Sequence, residues 1–187
     1  MVFKLRTRNA EFETGTFIPW VASGDATTSD DVACSGFWTA RLGPGTGYIL
    51  QDGVAYPNRS FEIQFRVGAV GGMATSPLVV TLDFYDEPGF GQFFQWEQQR
   101  QKSGGAFLPV PEPQPKGRLL RRFSLTIPAA DIPTVGGATP VGCLQMIVDA
   151  GLSPNNTRRF RLTFTKPNPN GADLIVDAIH LIERTVP

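Results

Sequence analysis

The sequence predicts an all-β fold, a sandwich or a barrel, and three observations carry the prediction. Residues 47–67 read as two strands joined by a Pro57-Asn58 turn. In the second strand Phe61, Ile63, Phe65 and Val67 alternate with Glu62, Gln64 and Arg66, the period of an antiparallel strand with one buried face. The composition of 14 Phe, 20 Gly and 16 Pro in 187 residues gives aromatic strands punctuated by turn formers. No stretch shows the periodicity of an amphipathic helix of normal length.

The remaining elements follow in order. Residues 2–7 alternate and suit an opening strand, and 23–31 read as a polar loop. A strand over 37–42 is ended by Gly43-Pro44-Gly45, and the 48–67 hairpin follows. Small residues over 68–77 connect it to a strand at 78–85, where Leu78, Val80, Leu82 and Phe84 share a face. Residues 86–117 break the rhythm with Phe90, Phe93, Phe94, Trp96 and Phe107, a Gln-rich run, and prolines at 109, 111, 113 and 115. Alternate prolines favour extended polyproline II and do not sit inside a sheet, so this segment reads as an inserted arm. A strand at 119–127 closes at Pro128, and 129–132 suit a turn of helix. Strands at 143–149, 158–165 and 174–182 complete the chain, in which Phe160, Leu162 and Phe164 alternate with Arg159, Arg161 and Thr163. The length suits one domain spanning residues 1–187.

Charge narrows the partners. Lys+Arg and Asp+Glu both number 17, so there is no electrostatic reason to expect nucleic acid or an anionic membrane. A neutral chain also does little to resist association. No apolar run approaches the ~20 residues that span a bilayer. The first nine residues hold no apolar core of a secretory signal. Cys34 and Cys143 are the only cysteines. Without a sign of export they read as two isolated thiols rather than one disulfide, and without a Cys-x-x-Cys pair they do not suggest zinc.

Asn9-Ala10-Glu11-Phe12-Glu13, with Gly15 and Trp20 beyond it, resembles the opening of carbohydrate-binding modules with a galactose-binding-like jelly roll. Tyr48-Ile49-Leu50-Gln51, then Tyr56-Pro57 and the Phe61 strand, resembles their second hairpin. Val176-Asp177-Ala178-Ile179-His180-Leu181 resembles their closing Ile-Asp-Asp-Val-x-Leu. The resemblance implies a jelly-roll β-sandwich of two antiparallel sheets, with a structural calcium linking first and last strands. Glu13 and Asp177 are the ligands that carry over. Asp177 shares parity with Ile175, Ile179 and Leu181, which points it toward an apolar face. A carboxylate there needs a partner, either calcium or backbone N–H groups. Ala178 stands where the family has a second Asp, which depletes the ligand set.

Catalysis is not expected. His180, the only histidine, shares a strand face with Leu174, Val176, Ala178 and Ile182 and reads as packing. No Gly-x-Ser-x-Gly elbow accompanies it. Asp83, Asp86 and Glu87 read as one core-edge residue and two turn residues rather than a carboxylate site. Residues 43–47 are glycine-rich but lack the Lys-Ser/Thr and helix of a phosphate loop. Arg118, Arg121 and Arg122, and Arg158, Arg159 and Arg161, read as solvated strand faces first and as an interface second.

The leading expectation is a non-catalytic structural protein of a virion, a phage head-decoration (cement) protein. Phe90, Phe93, Phe94, Trp96 and Phe107 would bind the major capsid protein and copies of the chain itself. A resemblance to jelly-roll decoration proteins implies a trimer. Phe-rich composition favours protein over sugar there. The other expectation is an extracellular carbohydrate-binding module with a structural calcium and with Trp20, Trp38 or Trp96 against the sugar.

Overall fold

The computed structural model describes residues 3–86, 117–136 and 142–185. Phe90, Phe93, Phe94, Trp96 and Phe107, the expected partner-binding residues, lie outside them. Among the described residues nine strands run in chain order: β1 Phe3–Leu5, β2 Val21–Ser29, β3 Thr39–Val54, β4 Arg59–Val70, β5 Leu78–Tyr85, β6 Leu119–Ile127, β7 Leu144–Leu152, β8 Arg159–Lys166 and β9 Asp173–Thr185. A 3-10 turn, Ala129–Asp131, follows β6. The strands pair antiparallel.

Hydrogen bonding runs without a break in the order β6-β5-β8-β3-β9-β4-β7, with β1 on β9 and β2 on β3. The order makes two layers because β3 belongs to both. Its first half pairs with β9 through Ala40, Arg41 and Leu42. Its second half pairs with β8 from Gly47 to Val54. The first layer is therefore β6-β5-β8-β3, and the second is β7-β4-β9-β3. They face each other across an aromatic core. Phe61 of β4 lies 5.1 Å from Phe84 of β5, and Phe65 of β4 lies 5.1 Å from Phe164 of β8, although these strands share no ladder. This is the jelly-roll sandwich that the sequence predicts.

Two expectations about strands change. Residues 23–31 were expected to be a polar loop, yet Val21–Ser29 is β2, in register with β3 from Val21↔Leu50 to Ser29↔Thr39. It is polar because most of its side chains are not buried. Gly43-Pro44-Gly45 was expected to end a strand, but β3 continues through it and bends between layers. Pro44 has no N–H to lose from a ladder there. The bend leaves carbonyls turned inward, and buried Lys166 meets them: its Nζ donates to Gly43 O at 2.9 Å, Pro44 O at 3.0 Å and Gly45 O at 3.1 Å. Burial lowers the Lys166 pKa, and the nearby Asp173 and Asp25 carboxylates oppose that. Asp25 also accepts the Gly45 N–H at 2.8 Å.

The cysteines are corrected too. Cys34 and Cys143 form a disulfide, with Cα atoms 5.7 Å apart and 109 residues of separation. The Cys143 end leads into β7, so the bond ties the segment before β3 to an edge of the second layer.

Lys166→Met removes three donors, one from a buried carbonyl and two from partly buried ones. It is expected to lower unfolding free energy by about 3 kcal/mol or more, read from urea denaturation. A loss under about 1 kcal/mol would show that the bend holds without the cation.

Candidate functional site

The core side of the first layer is set by Leu78, Val80, Leu82 and Phe84 in β5 and by Phe160, Leu162 and Phe164 in β8, all buried in one cluster. The alternate residues of these strands therefore face outward. Cross-strand register gathers them. Asp83 lies opposite Arg122 and Arg161, Thr81 opposite Ser124 and Thr163, and Val79 opposite Thr126 and Thr165. On β3, Asp52 lies opposite Arg161 and Tyr48 opposite Thr165.

This outer face has two zones. One is a field of hydroxyls from Ser124, Thr126, Thr81, Thr163 and Thr165, exposed or half-buried, with half-buried Tyr48 beside them. The other is ionic. Arg122 grips Asp83 with two nitrogens, Nε to Oδ1 at 2.7 Å and Nη2 to Oδ2 at 2.8 Å. Arg161 grips Asp52 the same way at 3.0 and 2.8 Å. Arg159 stands 3.7 Å from Asp52 and lies over the Tyr85 ring at 4.4 Å. The Tyr85 hydroxyl donates to Asp83 Oδ2 at 3.2 Å.

The electrostatics follow from burial. Asp83, Tyr85, Arg159 and Arg161 are buried although they sit on an outward face. Burial, then the Asp83 charge, pushes the Tyr85 hydroxyl up to about 12, against the opposing pull of Arg161 and Arg159. Asp83 raises the pKa of Arg122, first by its hydrogen bonds and then by its charge. The Arg122 side chain is still 55% exposed. The result is a fixed, fork-shaped donor at the edge of a hydroxyl field, built on three rigid strands.

The arginines were expected to form solvated faces. Arg159 and Arg161 do not: each is buried against a carboxylate. Asp83 is a buried partner of Arg122, whereas Asp86 accepts the Arg118 N–H at 2.8 Å as a turn residue. Glu87 lies outside the described residues, as does Trp96. Trp20 is fully buried, its indole N–H shared between Arg8 O and Asn9 O, so it is not a sugar platform. Half-buried Trp38 packs beside Gly15, where a Cβ would come within 3.2 Å of the ring.

The expected calcium ligands lie on the other layer. A β-bulge in β9 changes their orientation: Gln64 faces His180 but Arg66 faces Asp177, so two β9 residues oppose Phe65. Ala178 takes φ 49° there. The extra residue flips the parity, so Ile179 and Leu181 pack in the core with Val176 and Leu174, while Asp177 and His180 face outward. The parity expected for both Asp177 and His180 is thus overturned by one inserted residue.

Asp177 and Glu13 meet the same loop. Asp177 Oδ2 accepts the Ser35 N–H at 2.8 Å, and Oδ1 accepts the Ala178 N–H at 2.7 Å. Glu13 Oε1 accepts from Phe37 at 2.8 Å and Trp38 at 3.0 Å. Between these contacts Gly36, at φ 61°, leaves room that a Cβ would take from the Glu13 carboxylate. Arg66 holds the Cys34 carbonyl at 2.9 Å. Backbone amides point at both carboxylates, where calcium would need oxygen ligands. Among the described residues no three His, Cys, Asp or Glu side chains gather to hold a metal. The donors present do not fit a calcium site.

No protein-family model matches the chain, and no curated protein matches it. Solved structures match its fold. A family 61 carbohydrate-binding module in complex with β-1,4-galactotriose is 14% identical with a TM-score of 0.56, over 95% of this chain and 97% of that one. An apo cyclase from Fischerella sp. is 11% identical with a TM-score of 0.56, over 99% and 98%. The enzymatically active domain of bacteriophage CBA120 tailspike protein 4 is 11% identical with a TM-score of 0.55, over 94% of this chain and 21% of that one. Carbohydrate-binding modules of families 16 and 22 share the fold as well. At such identities the likeness shows the fold alone.

The Asp177 latch has a pH signature. Burial, ahead of the opposing amide hydrogen bonds, raises its pKa from 3.8 to about 6. The folded state therefore holds a proton that the unfolded state releases, so this group's contribution is full below about pH 4 and is lost as pH rises toward 6. Unfolding free energies of wild type and Asp177→Asn are expected to converge or cross over that interval, shifting relative to each other by about 2–3 kcal/mol. A constant difference from pH 4 to 7 would refute it.

Proposed function

We propose that this protein is a non-catalytic saccharide-binding domain, and that the ligand lies across the outer face of the first layer. The observation that carries the reading is Arg122, half-exposed, clamped at two nitrogens by buried Asp83, which in turn takes the Tyr85 hydroxyl. A guanidinium fixed in this way presents its remaining N–H groups outward in one geometry. The hydroxyls of Ser124, Thr81, Thr163 and Thr165 beside it can both donate and accept, as sugar hydroxyls do. Support also comes from the fold, which sugar-binding modules use. Both carboxylates of the face are engaged by arginine, which leaves neither poised for acid–base work, and His180 stands on the other layer. The Cys34–Cys143 disulfide supports an extracellular location.

Particle decoration is the second reading, favoured by the same fold in a phage tailspike. It would rest on the aromatic residues of the 86–117 stretch of sequence, which lie outside the described residues. The two readings differ in outcome: a decoration protein binds purified particles and no glycan.

A glycan array on the purified chain, run with calcium and with EDTA, should show binding to a defined saccharide in both conditions. Arg122→Lys keeps the charge and loses the fork; it should weaken that binding about tenfold or more. Thr163→Val should weaken it severalfold. Both should leave the thermal midpoint within a few degrees of wild type. Silence on every glycan from folded protein would sink the reading.

A further inference from the structure

The geometry points to a second ligand site, for an acidic sugar residue, at the end of the sandwich where β3 leaves and β8 begins. It goes beyond the face described above and does not depend on that face binding anything. A cavity of about 470 Å³ opens there, within the range of small-ligand pockets. Its walls are the 54–57 corner and the 156–158 turn.

The backbone of these walls is fixed. Ser153 ties the first wall: its Oγ donates to Tyr56 O at 2.6 Å and accepts the Arg59 N–H at 3.0 Å. The Asn58 N–H reaches Ser153 O, and the Ser153 N–H reaches Arg59 O. Arg158 is pinned at both backbone groups, its N–H on Tyr85 O at 2.8 Å and its carbonyl under Ala55 N–H at 3.1 Å. Asn156 sits at φ 69°, a conformation asparagine tolerates.

Three side chains on this scaffold, those of Tyr56, Asn156 and Arg158, are exposed. Tyr56 is 49% exposed. One guanidinium backs its ring: Arg6, itself bound to Glu183, lies 5.1 Å from the ring centroid. Arg158 is exposed, and its guanidinium has no hydrogen-bond or ion-pair partner among the described residues. The exposed Asn156 amide likewise makes no bond with them. Among the described residues no carboxylate lines the pocket. A preformed cavity with an idle arginine fork, an idle amide and an aromatic face selects a ring with an apolar side, hydroxyls and a carboxylate. A uronic acid residue has all three. Arg158 would take the carboxylate, Asn156 a pair of hydroxyls, and Tyr56 with Val54 and Pro57 the C–H face of the ring.

The test is a titration of the full chain, followed by amide chemical shifts and calorimetry, with a trimer of galacturonic acid, a neutral galactose trimer and inorganic sulfate. The acidic trimer is expected to shift amides at 54–57 and 156–158. It should bind about tenfold or more tightly than the neutral trimer at that site and lose affinity as salt rises. Arg158→Gln should cost tenfold or more, Arg158→Lys less, and Tyr56→Ala should weaken binding again. Arg122→Lys should leave this binding unchanged, which separates the pocket from the face. No binding of the acidic trimer to wild type, or equal binding to Arg158→Gln, would overturn the proposal. So would sulfate alone reproducing the same shifts with the same affinity, because the sugar ring would then contribute nothing.

Discussion

The Lys166 ammonium, held against the carbonyls of Gly43, Pro44 and Gly45, is what lets one strand serve two sheets. A strand that changes layers must break its ladder at the bend, and the freed carbonyls turn toward the buried Lys166 ammonium. An unpaired carbonyl removed from water is costly to a marginally stable domain, and the Gly43 carbonyl is the most enclosed of the three. One ammonium satisfies all three with its three donors. Asn170 adds a fourth contact by donating its N–H to Pro44 O. With the bend fixed, the first half of β3 sets the register of β9 and the second half sets that of β8. Everything that faces outward on either layer inherits its place from those two registers.

The two outer faces are then treated differently. Across the second layer runs the segment leading from β2 to β3, fastened by the Cys34–Cys143 bond, by Arg66 on the Cys34 carbonyl, by Asp177 on the Ser35 amide and by the Arg41–Asp31 pair. The bulge at Ala178 lets Asp177 face outward to make that contact while Ile179 and Leu181 beyond it still pack in the core. The first layer instead carries Arg–Asp forks. Buried ion pairs of this kind add little net stability over well-packed apolar residues. What they do supply is orientation, and the partly exposed member, Arg122, is the one that gains a fixed direction from it.

Much of the fold could be read from the sequence, because β4, β5 and β8 alternate and each sends an unbroken apolar face into the core. Three features could not. β2 lacks alternation because most of its side chains escape burial, and only its register with β3 makes it a strand. The bulge in β9 inserts one residue into an unbroken apolar pattern, and a period of two cannot report where it slips. The Arg–Asp forks join residues far apart in the chain, 109 for Asp52–Arg161 and 39 for Asp83–Arg122. They become visible only when strands are aligned. A pairing of β5 with β6 at Leu82↔Phe123 would have placed Asp83 opposite Arg122.

The pleat also divides the arginine clusters into separate tasks. Arg121 and Arg122 are neighbours in β6 yet face opposite ways. Arg121 reaches across the open side of the sandwich to the carbonyls of Ala150 and Leu152, joining the edge strand of one layer to that of the other. Gly151 leaves room for it, since a Cβ there would stand 2.9 Å from its nitrogen. Arg122 faces outward and is clamped by Asp83. In the second cluster Arg159 and Arg161 share one outward face and one carboxylate, Asp52, while Arg158 precedes the strand and escapes both the core and the face. Its backbone is needed and its side chain is not. A charge that no partner among the described residues claims, on a backbone hydrogen-bonded at both its groups, is where specificity for an anionic group costs the fold nothing.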